Sequence, residues 1–150
     1  PTTGSVFLSV RDSDKQEAVP LAKELIELGF ALYATAGTST VLRDAGIPSR
    51  AIFRISHGRP NVVDLMEDRE AVWIVNTPSV GPTPRMDEVK MRAHAVIRGI
   101  PITTTLDGLR AAIEALKSLR KMKQMDVCSL QEYHRHAPKL KLPEKAGGKR

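Results

Sequence analysis

The sequence predicts an α/β domain: a doubly wound, mostly parallel sheet with helices on both faces. Three observations carry this expectation. Short β-rich apolar runs alternate with stretches whose apolar residues recur at helical spacing. Glycines at 29, 46 and 99 punctuate the ends of the helical stretches. The run at 71–75 is almost wholly apolar, as a strand covered on both faces would be. With 150 residues, 41% of them hydrophobic, the chain has the size and content for one core.

Each element follows from local signals. Residues 5–10 make the first strand. Asp12, Ser13 and Asp14 offer N-caps, and apolar positions 18, 19, 21, 22, 25, 26 and 28 predict the helix that Gly29 ends. Residues 30–34 form the second strand, 35–38 a tight turn, and 39–45 a short helix closed by Gly46. The third strand is read at 50–55, followed by a loop at 57–60 and a helix capped by Asn61 that runs to about Asp68. After the strand at 71–75 comes a loop at 76–84 rich in proline and glycine, then a helix at 87–98. A fifth strand is expected at 100–103 and a helix at 106–119, with apolar positions 109, 112, 113, 116 and 119. Residues 126–128 read as a short edge strand before a last helical turn near Tyr133.

Composition removes several classes of function. The formal charge is +6, but residues 135–150 hold six basic residues against Glu144 alone, so the body is close to neutral. A basic, probe-like surface for specific nucleic acid is not expected, and the aromatic residues are too few to form a stacking platform. The longest apolar run is far below the roughly 20 residues of a membrane span. Cys128 is the only cysteine, which excludes an internal disulfide, agrees with a reducing, cytoplasmic setting and is read as a buried, inert thiol. His57, His94, His134 and His136 lack metal-ligand spacing. The first residue is Pro1, which suggests processing or a piece of a longer protein. The tail at 135–150, with Pro138, Pro143, Gly147 and Gly148, is expected to be loosely ordered.

Open α/β sheets bind ligands beyond the carboxyl ends of their strands, so the polar residues there are the candidate site. Lys15 follows the first strand at a helix start, where unpaired N–H groups favour anions. Thr35, Gly37 and Thr38 join the second strand to a helix and offer hydroxyl and backbone donors. This is no P-loop, because no Gly-Lys-Ser/Thr follows; Thr38 or Ser39 can equally serve as a helix cap. Arg54 and Arg59 carry guanidinium forks suited to phosphate. Asn76 and Thr77 end the apolar fourth strand. The threonines at 103–105 read as caps. Together these residues predict an anionic-ligand site.

Several strings resemble, in order, the methylglyoxal-synthase-like domain at the C-terminus of the carbamoyl phosphate synthetase large subunit. They are Leu8-Ser9-Val10-Arg11 with Asp14-Lys15, Ala34-Thr35-Ala36-Gly37-Thr38, Ala45-Gly46-Ile47, Gly58-Arg59-Pro60-Asn61, Val75-Asn76-Thr77-Pro78 and Thr104-Thr105-Leu106. The resemblance spans roughly residues 4–134 and implies a Rossmann-like three-layer sandwich around a central five-stranded sheet, with a domain at 1–134 and a basic tail at 135–150. It further implies an allosteric domain that receives a nucleotide such as UMP or IMP. Lys15, Thr35 and Thr38 would hold the phosphate. Arg54 stands where the family has a lysine, Asn76 occupies a nucleotide-contact position, and Pro78 replaces a threonine of some bacterial members. The implied partners are the synthetase domains of the same large subunit and the small glutaminase subunit, in a ligase of pyrimidine and arginine biosynthesis. The domain itself would need no cofactor; the parent enzyme would use ATP and Mg.

The resemblance extends to stand-alone methylglyoxal synthase, which moves protons on dihydroxyacetone phosphate with carboxylates. Asp87 matches one of these. The second aspartate is missing from the loop Gly58-Arg59-Pro60-Asn61, and Pro84 replaces a histidine, so the chain is expected to be non-catalytic. The N-terminal domain of the bifunctional purine enzyme with IMP cyclohydrolase activity shares the strand end and Gly-Thr turn, but its long following segment is absent.

Overall fold

The computed structural model describes residues 3–81 and 85–136, with side chains through residue 125. Five strands form one sheet: β1 (Gly4–Ser9), β2 (Phe30–Thr35), β3 (Arg50–Ile52), β4 (Ala71–Asn76) and β5 (Ile102–Thr103). Five α-helices connect and follow them: α1 (Lys15–Glu27), α2 (Ala36–Asp44), α3 (Val62–Glu67), α4 (Met86–Arg98) and α5 (Leu106–His136). The strand order is β3-β2-β1-β4-β5, and every pairing is parallel. The expected α/β class is therefore borne out, with a sheet that is wholly rather than mostly parallel.

Alternation along the strands divides the core into two layers. Val6 and Leu8 of β1, Phe30 and Leu32 of β2, and Trp73 and Val75 of β4 pack against α1, α2 and α5. Phe7 and Ile74 point the other way, into a cluster with Leu65 and Met66 of α3 and Met91 and Ala95 of α4. The β1–β4 register shifts between Ser5, opposite Ala71, and Val6, opposite Trp73. This one-residue irregularity lets Val72 and Trp73 both join the first cluster, after which strict alternation resumes. Trp73 meets Phe30 edge to face at 6.1 Å, and its Nε1 donates to Thr103 Oγ1 at 3.0 Å, fastening β5 to the sheet.

Three expectations about local structure are corrected. Residues 35–38 are not a tight turn: α2 begins at Ala36, and Gly37 is helical, with no positive φ. The third strand stops at Ile52, because Phe53 makes a single bridge to Asn61 and Ile55–His57 coil into a 3-10 turn. The edge strand at 126–128 does not form; α5 runs on through His136. Between 116 and 125 that helix is rich in Leu, Lys, Arg, Met and Gln, all good helix formers, and has no glycine or proline to stop it.

By contact density the chain divides into two compact units, Pro1–Lys117 and Ser118–Arg150. The second is described only as helix, with Leu119, Met122 and Met125 exposed on it. Most of the basic tail, and the side chain of Cys128, lie outside the described residues. Among the described residues no helix is long and apolar enough to cross a membrane. Nor do any of them form a group of three or more His, Cys, Asp or Glu able to hold a metal.

Candidate functional site

A cleft of about 420 Å³ opens at the carboxyl ends of the central strands, within the range of small-molecule sites. Its floor comes from strand termini: Ser9 of β1, Thr35 of β2 and Asn76 of β4 all line it. β1 and β4 meet where the chain switches from building one side of the sheet to building the other, and Ser9 lies opposite Asn76 in that pairing. Arg54, in the extended residue before the 3-10 turn, and Arg85, just before α4, flank the opening.

At one end of the cleft α1 and α2 bring their N-termini together. No side chain caps α2. Instead the Thr35 hydroxyl donates to Thr38 Oγ1 at 3.4 Å, and that oxygen also accepts from the Val10 N–H at 3.3 Å. Ser39 is likewise engaged elsewhere, with Ser49 at 2.8 Å. The first-turn N–H groups of α2 are thus left without a side-chain partner, which favours an anion there. Lys15 adds charge to this corner. Its Nζ would lie 2.9 Å from a β-carbon on Gly37, so only glycine lets the ammonium rest on the start of α2. The ammonium pairs with the nearly fully exposed Asp12 carboxylate. This contact, with Arg54 and Arg85 also nearby, holds Asp12 below its ordinary pKa.

Of the residues singled out in the sequence, Lys15, Thr35, Gly37, Arg54, Asn76 and Thr77 line the cleft. Asn76 is almost wholly buried, and its Nδ2 has no partner among the described residues. Thr77 Oγ1 accepts from the Arg11 N–H at 2.9 Å and so fixes the loop after β1. Thr38 is buried behind Thr35 and is not among the lining residues. Arg59 stands apart from the cleft. Its guanidinium binds Asp64, whose other oxygen accepts from the Asn61 N–H in the capping box of α3. Thr105 acts as a cap, accepting from Gly108 N–H at 3.0 Å.

Of the far wall, the sequence reading names Asp87 alone and misses Glu88 and Ser79. Glu88 Oε1 accepts both the N–H and the hydroxyl of Ser79 at 3.0 Å, pinning the loop after β4 to α4. Asp87 also lines the cleft, where its Oδ2 accepts from Ser56 Oγ at 2.7 Å and Ser56 N–H at 3.1 Å. Burial alone would raise the Asp87 carboxyl. The two Ser56 hydrogen bonds, helped by Lys90 and His57, outweigh it and hold the group below its ordinary value.

The family model of the MGS-like domain matches residues 17–104, which include the start of α2 but not Lys15 at the start of α1. The chain belongs to the MGS-like domain family. Relatives of this MGS-like domain are named as carbamoyl phosphate synthase large chain. That of Acidobacterium capsulatum is 43% identical over 89% of this chain and 12% of its own length. The C-terminal section from Methanocaldococcus jannaschii is 44% identical over 88% of the chain and 21% of its own length. The one from Aquifex aeolicus is 39% identical over 89% and 26%. The MGS-like domain thus spans about an eighth to a quarter of these relatives. Among solved structures, methylglyoxal synthase from Elizabethkingia anophelis aligns with a TM-score of 0.61 at 13% identity, covering 75% of this chain and 78% of that one. At that identity the likeness concerns the fold.

Proposed function

We propose that this MGS-like domain is the effector-receiving part of a carbamoyl phosphate synthase large chain. A nucleoside monophosphate, UMP first and IMP second, enters the cleft phosphate-first. The phosphate rests on the uncapped start of α2, with Lys15, the Thr35 hydroxyl and Arg54 around it. On binding, Thr35 turns its single O–H from Thr38 Oγ1 to the phosphate, and Thr38 donates to the Thr35 oxygen from behind. Asn76 donates to the rest of the ligand. Binding there modulates the synthetase domains of the same chain, and through them carbamoyl phosphate synthesis. ATP, Mg and the glutaminase subunit belong to that larger assembly, in the cytoplasm.

The observation that carries this reading is the Lys15 ammonium seated over Gly37 at an uncapped helix start. A charge-assisted hydrogen bond to phosphate is worth about 1.5–3 kcal/mol, enough for tenfold or more in affinity. Titration calorimetry with UMP, IMP, UTP and inorganic phosphate tests it. Lys15→Ala weakens every phosphate-bearing ligand by about tenfold or more, while Lys121→Ala leaves them unchanged. Absence of binding to the wild-type chain at millimolar ligand refutes the reading.

Asp87 in the cleft favours one other reading, a methylglyoxal synthase. Its carboxylate has Ser56 as a fixed partner, and no second carboxylate comes from the Gly58–Asn61 loop, where Asn61 serves as the α3 cap. Turnover of dihydroxyacetone phosphate to methylglyoxal by the purified chain would reinstate it.

A further inference from the structure

Two side chains that line the cleft each have a buried polar atom with no hydrogen-bond partner among the described residues. One is Asn76 Nδ2, a donor at the end of β4. The other is Glu88 Oε2, an acceptor on the first turn of α4. Buried polar groups are nearly always hydrogen-bonded, because leaving one bare costs about 1–3 kcal/mol. Glu88 is not free to swing toward water: its Oε1 is anchored by both the N–H and the hydroxyl of Ser79. The carboxylate is therefore fixed in orientation, with its second oxygen bare among the described residues, in a side chain that lines the cleft.

A carboxylate repels phosphate and takes only donors. We infer that Glu88 is a specificity-determining residue of this cleft, its Oε2 accepting a hydrogen bond from the non-phosphate part of the ligand. That donor is a ribose hydroxyl or a base N–H. The inference rests on the proposed effector site and deepens it. The basic corner reads the phosphate, whereas Glu88 and Asn76 together read a neighbouring donor and acceptor. A site built to hydrogen-bond a ligand donor rejects the analogue lacking it, because the protein group is then left buried and unpaired.

Calorimetry on the full chain compares UMP, 2′-deoxy-UMP, N3-methyl-UMP, ribose 5-phosphate and inorganic phosphate, for the wild type and Glu88→Gln. In the wild type, one of the two analogues binds at least tenfold more weakly than UMP. The 2′-deoxy compound does so if the donor is the ribose hydroxyl, the N3-methyl compound if it is the base. Glu88→Gln weakens UMP by at least tenfold, abolishes that discrimination and leaves inorganic phosphate unchanged. Ser79→Ala, which removes one anchor but keeps the Glu88 charge, retains the discrimination and guards against misfolding of the Gln variant. If UMP binds but Glu88→Gln changes nothing, or weakens UMP and phosphate equally, the inference is overturned while the effector site stands. If the wild type binds neither UMP nor ribose 5-phosphate, both fall.

Discussion

Lys15 and Gly37 compete for the same volume: a β-carbon on Gly37 would sit 2.9 Å from the Lys15 ammonium. The obstructing atom is the end of a flexible side chain, so Gly37→Ala displaces Lys15 rather than the backbone. Alanine is also the better helix former by about 1 kcal/mol. Gly37→Ala is expected to keep or raise the melting temperature while weakening phosphate-bearing ligands about tenfold, a loss of about 1.4 kcal/mol. Thermal melts and calorimetry on the same sample check it. A parallel loss of stability and affinity would show that the glycine serves the helix instead.

Asp12 holds the Lys15 ammonium, which a phosphate in the proposed site would have to share. Asp12→Asn should therefore strengthen phosphate binding several-fold at low salt, where screening is weak. The gain should shrink as ionic strength rises toward about 1 M. Unchanged or weaker binding in 10 mM salt would mean that Asp12 orients the lysine usefully.

Asp64 and Asp87 are both held below the ordinary aspartate value of about 3.9, Asp64 first by Arg59 and then by the Asn61 N–H. For a depressed carboxyl the unfolded chain binds more protons than the folded one. The stabilisation is thus complete above about pH 4 and is lost as pH falls through the folded pKa. Melting temperatures should be flat between about pH 6 and 5 and fall below about 4. Ser56→Ala, which removes a donor to Asp87, should flatten that acid limb; identical slopes would exclude Asp87 from it.

The Asn61 side chain accepts from the Val63 N–H at 2.9 Å, at the head of the six-residue helix α3. Asn61→Ala should cost about 1 kcal/mol of unfolding free energy. Urea denaturation measures this, and a change within error would show that α3 is held by Leu65 and Met66 alone.

Much of this architecture was readable before any coordinates. The apolar spacing of α1 and of the first half of α5, the left-handed Gly99 at the end of α4 and the Asn61 cap are local properties of the chain. So was the basic corner, because strand ends in a parallel sheet converge by topology. The roles of the hydroxyls were not readable. Thr35 and Thr38 look alike in sequence, yet one lines the cleft and the other supports it, and only the packing of β1 against α2 decides which. Glu88 was invisible for a different reason. On a helix with exposed Met86 and Val89 beside it, a glutamate reads as solvated surface until the loop of Ser79 folds over it. Arg59 shows the reverse error: its charge suits phosphate, but a nearer carboxylate, Asp64, takes it.

The strand order has a consequence for when the cleft comes into being. Ser9 and Asn76 are opposite one another in the sheet, yet two strands and three α-helices separate them along the chain. Lys15, Thr35 and Gly37 all precede β4, so a nascent polypeptide carries its basic corner well before Asn76 completes the floor. The pocket is therefore a product of late, long-range closure, the slowest kind of contact to form. On the proposed reading, uptake of an effector reports that β4 has joined β1, and so serves as a folding signal.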